Sequence, residues 1–280
     1  MSLILATLLA TSITSSQRNG DLVSSWQVVD ALMKEDWPRV EAYKRKVGSF
    51  KHPIAPADAQ SRSGDVLSLL AQYGSSSESY GRALVAMRIA MENGADPNEG
   101  GGMPLLYVTA ADQWGKMVER LLKAGADPNK LNTVRPLLLA IEAKRVPSVR
   151  YLLAAGADPN AVTTTGYFRR PNPSARKPRY HDGKPYPTLG EATYYLTLAA
   201  RIGNSEIVSL LLAAKAKVDA REPATGRTAL HEAAETDRPE IVKLLLKAGA
   251  SRAVRDKAGR TPLMAARRFG AKAAISALGG

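Results

Sequence analysis

The side chains that could do chemistry are few, and their spacing does not assemble a catalytic group. The sequence has three histidines, His52, His181 and His231, and it has no cysteine. No two histidines stand four residues apart, which is the spacing that puts two metal ligands on one helical face. The absence of cysteine excludes thiolate metal ligands and thiol nucleophiles. We therefore predict no catalytic, metal-binding or cofactor-binding residues.

The remaining motifs of catalysis are missing from the sequence or have a simple structural explanation. The chain has no Gly-x-Ser-x-Gly nucleophile turn, no phosphate-binding P-loop and no dinucleotide-binding glycine motif. A run of three glycines at 100–102 falls between repeated segments, where a turn explains it. Glu119, Glu206 and Glu240 recur in amphipathic segments, as expected of a solvated helix face. We predict that the protein is not an enzyme.

One segment, residues 162–190, concentrates residue types that bind other molecules. It contains six lysines or arginines against one acid, and four tyrosines or phenylalanines. Its five prolines exclude a continuous helix. Arginines and aromatic residues are enriched at interface hot spots, and they also suit phosphates and bases. The alternative is a solvated loop without a ligand. We predict partner contacts by Tyr167, Phe168, Arg169, Arg170, Arg176, Lys177, Arg179, Tyr180 and Tyr186.

The elements that must position this segment repeat along the chain. The phrase Asn-Gly-Ala-Asp-Pro-Asn at 93–98 recurs, with increasing divergence, at 124–129, 155–160, 214–219 and 248–253. Each phrase follows an amphipathic segment, so it predicts the end of a helix with glycine as the left-handed cap. Four of the five copies carry that glycine, namely Gly94, Gly125, Gly156 and Gly249.

A second motif stands 21 residues before the capping position and predicts the start of another helix. It reads Thr228-Ala229-Leu230-His231 in the best copy, and Thr261-Pro262 begins the next one. A threonine hydroxyl can cap a helix, and proline suits its first turn. Each period therefore predicts a pair of helices.

These two linked motifs resemble the ankyrin repeat, most clearly at 228–250 and 196–212. The resemblance covers roughly residues 80 to 280, and the spacing of the motifs extends it to a divergent repeat at Ser24–Gly48. It implies an all-α solenoid of stacked antiparallel helix pairs with β-hairpin-like finger loops. It also implies a concave binding surface, and a structural role for His231 in hydrogen bonds between loops.

The period breaks once, because Gly156 and Lys215 are 59 residues apart whereas the other intervals are 31 to 34. We interpret residues 162–190 as one long inserted finger, since a loop of this length in a compact array is usually functional or disordered. The predicted ankyrin-repeat domain spans 21–280. Its segments are divergent N-terminal repeats 21–98, repeats 99–129 and 130–160, the insertion 161–190, repeats 191–220 and 221–253, and a C-terminal capping repeat 254–280.

The first twenty residues allow two interpretations, a signal peptide or an N-terminal helix on the first repeat. An apolar block at 3–10 precedes small polar residues, as in a secretory signal, but no lysine or arginine precedes the block. We expect the protein in the cytoplasm, or exported to the periplasm if residues 1–16 are a signal peptide that is cleaved. No window reaches the roughly 18 apolar residues that a membrane span requires.

The net charge of +13 favours an acidic partner. Our first hypothesis is a monomer that binds a protein with an acidic surface, through the concave face and the finger 162–190. One alternative is binding of nucleic acid or another anionic surface through the positive charge. Another, by analogy within the family, is an inhibitor or immunity-type partner that restrains an enzyme or toxin.

Overall fold

In this computed structural model, capping residues mark where helices begin and end, and small or apolar side chains form their buried faces. The structure describes residues 25–47, 66–73, 77–98, 115–130, 135–164, 180–181, 184–185 and 192–280. The chain forms two units, Met1–Asn132 and Thr133–Gly280, which we call the N-terminal and C-terminal units.

The described part of the N-terminal unit contains five helices, of which the first four pack against one another. They are α1 (Ser25–Met33), α2 (Trp37–Val47), α3 (Val66–Tyr73), α4 (Ser77–Glu92) and α5 (Gly115–Lys123). Helix α1 packs against α2, α3 and α4, and α3 packs against α4. The buried face includes Val29, Leu70 and Met87, each with no exposed surface. This burial of apolar side chains holds the unit together.

The described part of the C-terminal unit contains four consecutive helix pairs. The first helices of the pairs are α6 (Pro136–Glu142), α8 (Tyr195–Ile202), α10 (Ala229–Glu235) and α12 (Pro262–Phe269). The second helices are α7 (Val146–Ala154), α9 (Ser205–Ala213), α11 (Pro239–Lys247) and α13 (Lys272–Ala277). First helices pack on first helices and second on second, which gives a first-helix layer and a second-helix layer. The predicted all-α stack of antiparallel helix pairs is confirmed.

The core of the C-terminal unit lies between these two layers. The second helices α7, α9 and α11 bury side chains at equivalent positions, for example Ile241, Val242 and Leu245 in α11. First helices contribute alanine pairs such as Ala233 and Ala234, which have no exposed surface and let neighbouring backbones approach closely. Each fully buried leucine contributes roughly 2 kcal/mol of hydrophobic free energy. The two layers therefore depend on each other for stability.

An asparagine at the end of the repeated phrase joins one repeat to the next. Asn160 donates from Nδ2 to the carbonyl oxygen of Lys215 at 3.2 Å, and its Oδ1 accepts from the Lys217 N–H at 2.7 Å. In the N-terminal unit Asn98 makes the same pair of bonds, to Gly125 and Asp127, both at 2.8 Å. Asn160 and Lys215 are thus neighbours although the finger insertion separates them in sequence. The insertion does not interrupt the stacking.

Among the described residues, four short strands lie in the finger insertion and its flanks. Strand β1 (Val162–Thr164) pairs antiparallel with β4 (Ala192–Tyr194), with Val162 opposite Tyr194 and Thr164 opposite Ala192. Strands β2 (Tyr180–His181) and β3 (Lys184–Pro185) also pair antiparallel. The β1–β4 ladder brings the two ends of the finger side by side.

Lys215 is the residue that replaces the capping glycine, and its backbone is strained. It has φ of +67°, in the left-handed region that Gly156 and Gly249 adopt at +86° and +90°. We expect Lys215→Gly to stabilise the C-terminal unit by about 1 kcal/mol, because a left-handed residue with a Cβ costs that much. Urea unfolding measures the change. Lys217→Gly is the matched control, and an equal or larger gain there would contradict the prediction.

Candidate binding surface

The base of the finger is fixed to the first-helix layer through Thr193, in the centre of β4. Thr193 is only 1% exposed, and its hydroxyl donates to Glu222 Oε1 at 2.6 Å. The β1–β4 ladder places it there, because Thr163 and Thr193 lie opposite each other. Both ends of the finger therefore lie beside the buried carboxylate of Glu222.

Glu222 occupies a tight turn that determines the direction of its carboxylate. Its N–H donates to the Arg227 carbonyl at 2.8 Å, and its own carbonyl accepts from the Gly226 N–H at 2.8 Å. Thr225 donates its hydroxyl to Glu222 Oε2 at 3.1 Å, so both carboxylate oxygens have partners. Gly226 has φ of +70°, which explains why the turn uses glycine. We call residues 222–227 the 222 turn.

Two arginines and three glutamates form an ion network beside this turn. Arg201, near the end of α8, contacts Glu222 Oε1 at 2.6 Å and Glu232 Oε2 at 2.9 Å. Arg227 contacts Glu232 Oε1 at 3.1 Å and also pairs with Glu235. Glu232 therefore bridges the two guanidinium groups. The network joins the finger base, the 222 turn, α8 and α10.

The ion network is largely buried. Glu222 and Glu232 are 5% and 6% exposed, so their pairing with arginine is largely shielded from solvent. Burial alone would lower the pKa of Arg201, but the carboxylates of Glu232 and Glu222 outweigh it and raise that pKa. The guanidinium thus stays charged at every physiological pH. A buried pair of this kind fixes geometry more than it adds stability.

His231 links α10 to the next turn of the array. Its Nδ1 accepts from the Thr228 N–H at 3.2 Å, so Nε2 carries the proton and donates to the Arg260 carbonyl at 3.0 Å. The side chain has no exposed surface. Burial lowers the pKa of His231, because the charged imidazolium is poorly solvated there. The Asp256 carboxylate in that turn pairs with Arg260 at 2.8 Å.

Among the residues predicted to bind a partner, Tyr180 is the one whose backbone the structure describes. It lies in β2, opposite Pro185. The others lie outside the described residues: Tyr167, Phe168, Arg169, Arg170, Arg176, Lys177, Arg179 and Tyr186. Residues 1–24, which include the possible signal peptide, also lie outside them, as does His52.

The residues of the repeat motifs occupy helix ends. Gly94 and Gly125 have φ of +89° and +92°, which is the left-handed backbone conformation typical of a residue that caps the C-terminal end of a helix. Thr261 accepts the Met264 N–H at 3.3 Å at the start of α12, and Pro262 is the first residue of that helix. These side chains shape the repeats rather than a ligand site.

Sequence reasoning did not identify the members of the ion network. A signal was present, because Glu232 and Arg201 are charged residues in short helices whose other residues are mostly small or apolar. Such a residue must find a partner when it is buried. The sequence did not indicate which residues pair, because contacts of the site join distant positions. Glu222 and Thr193, for example, are 29 residues apart.

The described residues include a shallow groove and no candidate metal site. No group of three or more histidine, aspartate or glutamate side chains among them could hold a metal ion. A shallow groove of about 440 Å³ between α9 and α11 is lined by Ser205, Ser209, Glu240 and their neighbours, with no histidine to act as a base. In the part of the chain that the structure describes, no helix is long and apolar enough to cross a membrane.

The paired helices, the capped turns and the bridging asparagines define a helical repeat protein. The family model described as "Ankyrin repeats (3 copies)" matches residues 67–163 and 193–279. The chain therefore belongs to the ankyrin-repeat family, whose repeats are protein–protein interaction modules and are typically not enzymes. A segment of 62 residues is 45% identical to the Neurogenic locus Notch protein of Drosophila melanogaster. That match covers 22% of this chain and 2% of the Notch protein.

Proposed function

We propose that the protein binds a partner protein with an acidic surface, using the finger 162–190 and the first-helix layer beside it. The observation that carries this proposal is the anchored base of the finger. The β1–β4 ladder and the Thr193–Glu222 bond hold the start and end of a basic, aromatic segment against a buried ion network. A segment fixed at its base loses less conformational entropy when it binds.

The composition of the finger supports an acidic protein as the partner. Its sequence contains six cations and a single acid. Its tyrosines and phenylalanine are residue types that anchor interfaces. The ion network beside it has three carboxylates and two guanidinium groups, and these are already paired with one another. The network therefore offers no excess positive charge to a partner, whereas the sequence of the finger carries one.

Deletion of residues 166–187 from the full chain tests this proposal. The deletion leaves five residues between Thr164 and Ala192, a length that suits an antiparallel hairpin, so the unfolding midpoint should stay close to that of the full chain. We expect it to lose part of the acidic proteins that the full chain captures from its source cells, namely those that depend on the finger. A second variant with the finger arginines and lysines changed to glutamine should lose them too.

The matched control removes positive charge from elsewhere in the same unit. Lys217→Gln, Lys243→Gln and Lys247→Gln together change three exposed lysines outside the finger and should leave capture intact. An unchanged set of captured acidic proteins after the deletion contradicts the proposal. If nuclease treatment abolishes capture, or if the chain retards DNA at low salt and releases it steeply as salt rises, nucleic acid is the partner instead.

A further inference from the structure

A second exposed surface lies on α12, away from the finger insertion in sequence. Met264, Arg267 and Arg268 stand at positions i, i+3 and i+4 of the helix, so they project from one face. All three are exposed, and Met264 is 48% exposed. A methionine flanked by arginines is a flexible apolar contact within a positive field.

Arg255 adds a fourth residue to this face from the turn that precedes α12. Its Nη1 lies 4.0 Å from Met264 Sδ and donates to the Gly259 carbonyl at 2.7 Å. The guanidinium is therefore held beside the thioether. We call Arg255, Met264, Arg267 and Arg268 the α12 surface.

The positive charge around the α12 surface is not neutralised within the described part of the chain. Residues 251–280 contain seven lysines or arginines and one acid, Asp256. Asp256 is 5% exposed and already pairs with Arg260. The other cations have no carboxylate within 4.0 Å among the described residues: Arg252, Arg255, Lys257, Arg267, Arg268 and Lys272. This concentration of charge attracts an acidic ligand.

The preceding repeat shows how the surroundings of Met264 differ from those of its counterpart. His231 holds the position in α10 that Met264 holds in α12, 33 residues later in sequence. His231 has no exposed surface, because the turn at Arg260 covers it and accepts its Nε2–H. No turn among the described residues covers Met264 in that way. Met264 therefore offers an exposed apolar side chain on which a side chain of a ligand can pack.

We propose that the α12 surface binds an extended acidic segment of a partner protein. One aliphatic side chain of that segment packs on Met264, and flanking carboxylates pair with Arg255, Arg267 and Arg268. Arginine forks match carboxylates in two-point geometry. A protein fits better than nucleic acid, because the central contact is apolar and the neighbouring Phe269 is half-buried, with the Arg268 guanidinium 5.8 Å from its ring. This surface acts independently of the finger.

Fluorescence anisotropy with the full chain tests the inference. The probe is a short labelled peptide of repeated Glu-Glu-Leu, with an all-Glu peptide and a single-stranded DNA oligonucleotide for comparison. We expect the combined variant Arg255→Gln, Arg267→Gln and Arg268→Gln to weaken binding of the Glu-Glu-Leu peptide by about tenfold or more. Met264→Gln should weaken binding of that peptide and leave the all-Glu peptide unchanged.

Two controls separate this surface from general charge and from the finger. The combined variant Lys217→Gln, Lys243→Gln and Lys247→Gln removes the same charge and should bind the Glu-Glu-Leu peptide nearly as the unmodified chain does. The variant lacking 166–187 should also bind it fully. The inference is overturned if no peptide binds, if the finger deletion abolishes binding, or if both charge variants weaken it equally. Tighter binding of DNA, insensitive to Met264→Gln, also overturns it.

Discussion

Glu232→Gln is expected to destabilise the C-terminal unit by about 3 kcal/mol, the cost of removing one partner from a buried ion pair. Glu232 is 6% exposed and bridges Arg201 and Arg227. Glutamine has nearly the same shape, so the core stays filled. The loss would come from breaking the ion pairs of Glu232 with Arg201 and Arg227 in a poorly solvated site, where a neutral amide cannot replace them. Urea unfolding followed by circular dichroism measures the free energy of unfolding.

An exposed glutamate provides the matched control. Glu206 pairs with Arg150 at 2.9 Å, but the two side chains are 57% and 60% exposed, so Glu206→Gln should change stability by about 0.5 kcal/mol or less. An equal effect of Glu232→Gln and Glu206→Gln would show that the network does not stabilise the fold.

His231→Gln is expected to destabilise the C-terminal unit by about 2 kcal/mol at pH 7.5, which is the cost of leaving a buried acceptor unpaired. Glutamine at this position of the helix can still reach back to the Thr228 N–H, as in a capping box. It cannot replace the bond to the Arg260 carbonyl, which His231 makes at 3.0 Å. Thermal and urea unfolding of both proteins measure the difference.

The same pair of proteins predicts a pH dependence. The pKa of His231 is lowered in the folded state, so below about 6.5, the ordinary histidine pKa, the unfolded chain binds more protons than the folded one. Stability from the neutral imidazole is therefore present above that pH and is lost as pH falls through the folded pKa. The advantage over His231→Gln should shrink between pH 7.5 and 5. A constant difference would contradict the lowered pKa.

Much of the fold could be predicted from the sequence, because its determinants are local and recur. Capping glycines and apolar stripes predict where the second helices end, and threonine or proline predicts where first helices begin. The segment Ser24–Gly48 resembled a repeat only through its spacing, and it contains the helix pair α1 and α2. The antiparallel stacking then followed from the family resemblance.

The candidate site was less predictable, because its contacts join residues that are distant in sequence. Composition indicates that the finger is basic and aromatic, and its predicted contact residues remain a prediction. The anchor beneath it depends on Thr193, Glu222 and Arg201, which stand in three different elements. Nothing in their spacing indicates that they meet. Likewise nothing in the repeat motif indicates that Met264 is exposed.

The pairing of β1 with β4 has a consequence for how this chain can change over evolution or in the laboratory. Thr164 and Ala192 lie opposite each other, so the closure of the intervening loop is already accomplished by the ladder and the Asn160 bonds. Each doubling of a flexible loop adds only about 0.6 kcal/mol of closure entropy. The segment between these residues is thus exchangeable, and foreign sequences of other lengths could be grafted there without redesigning the helices.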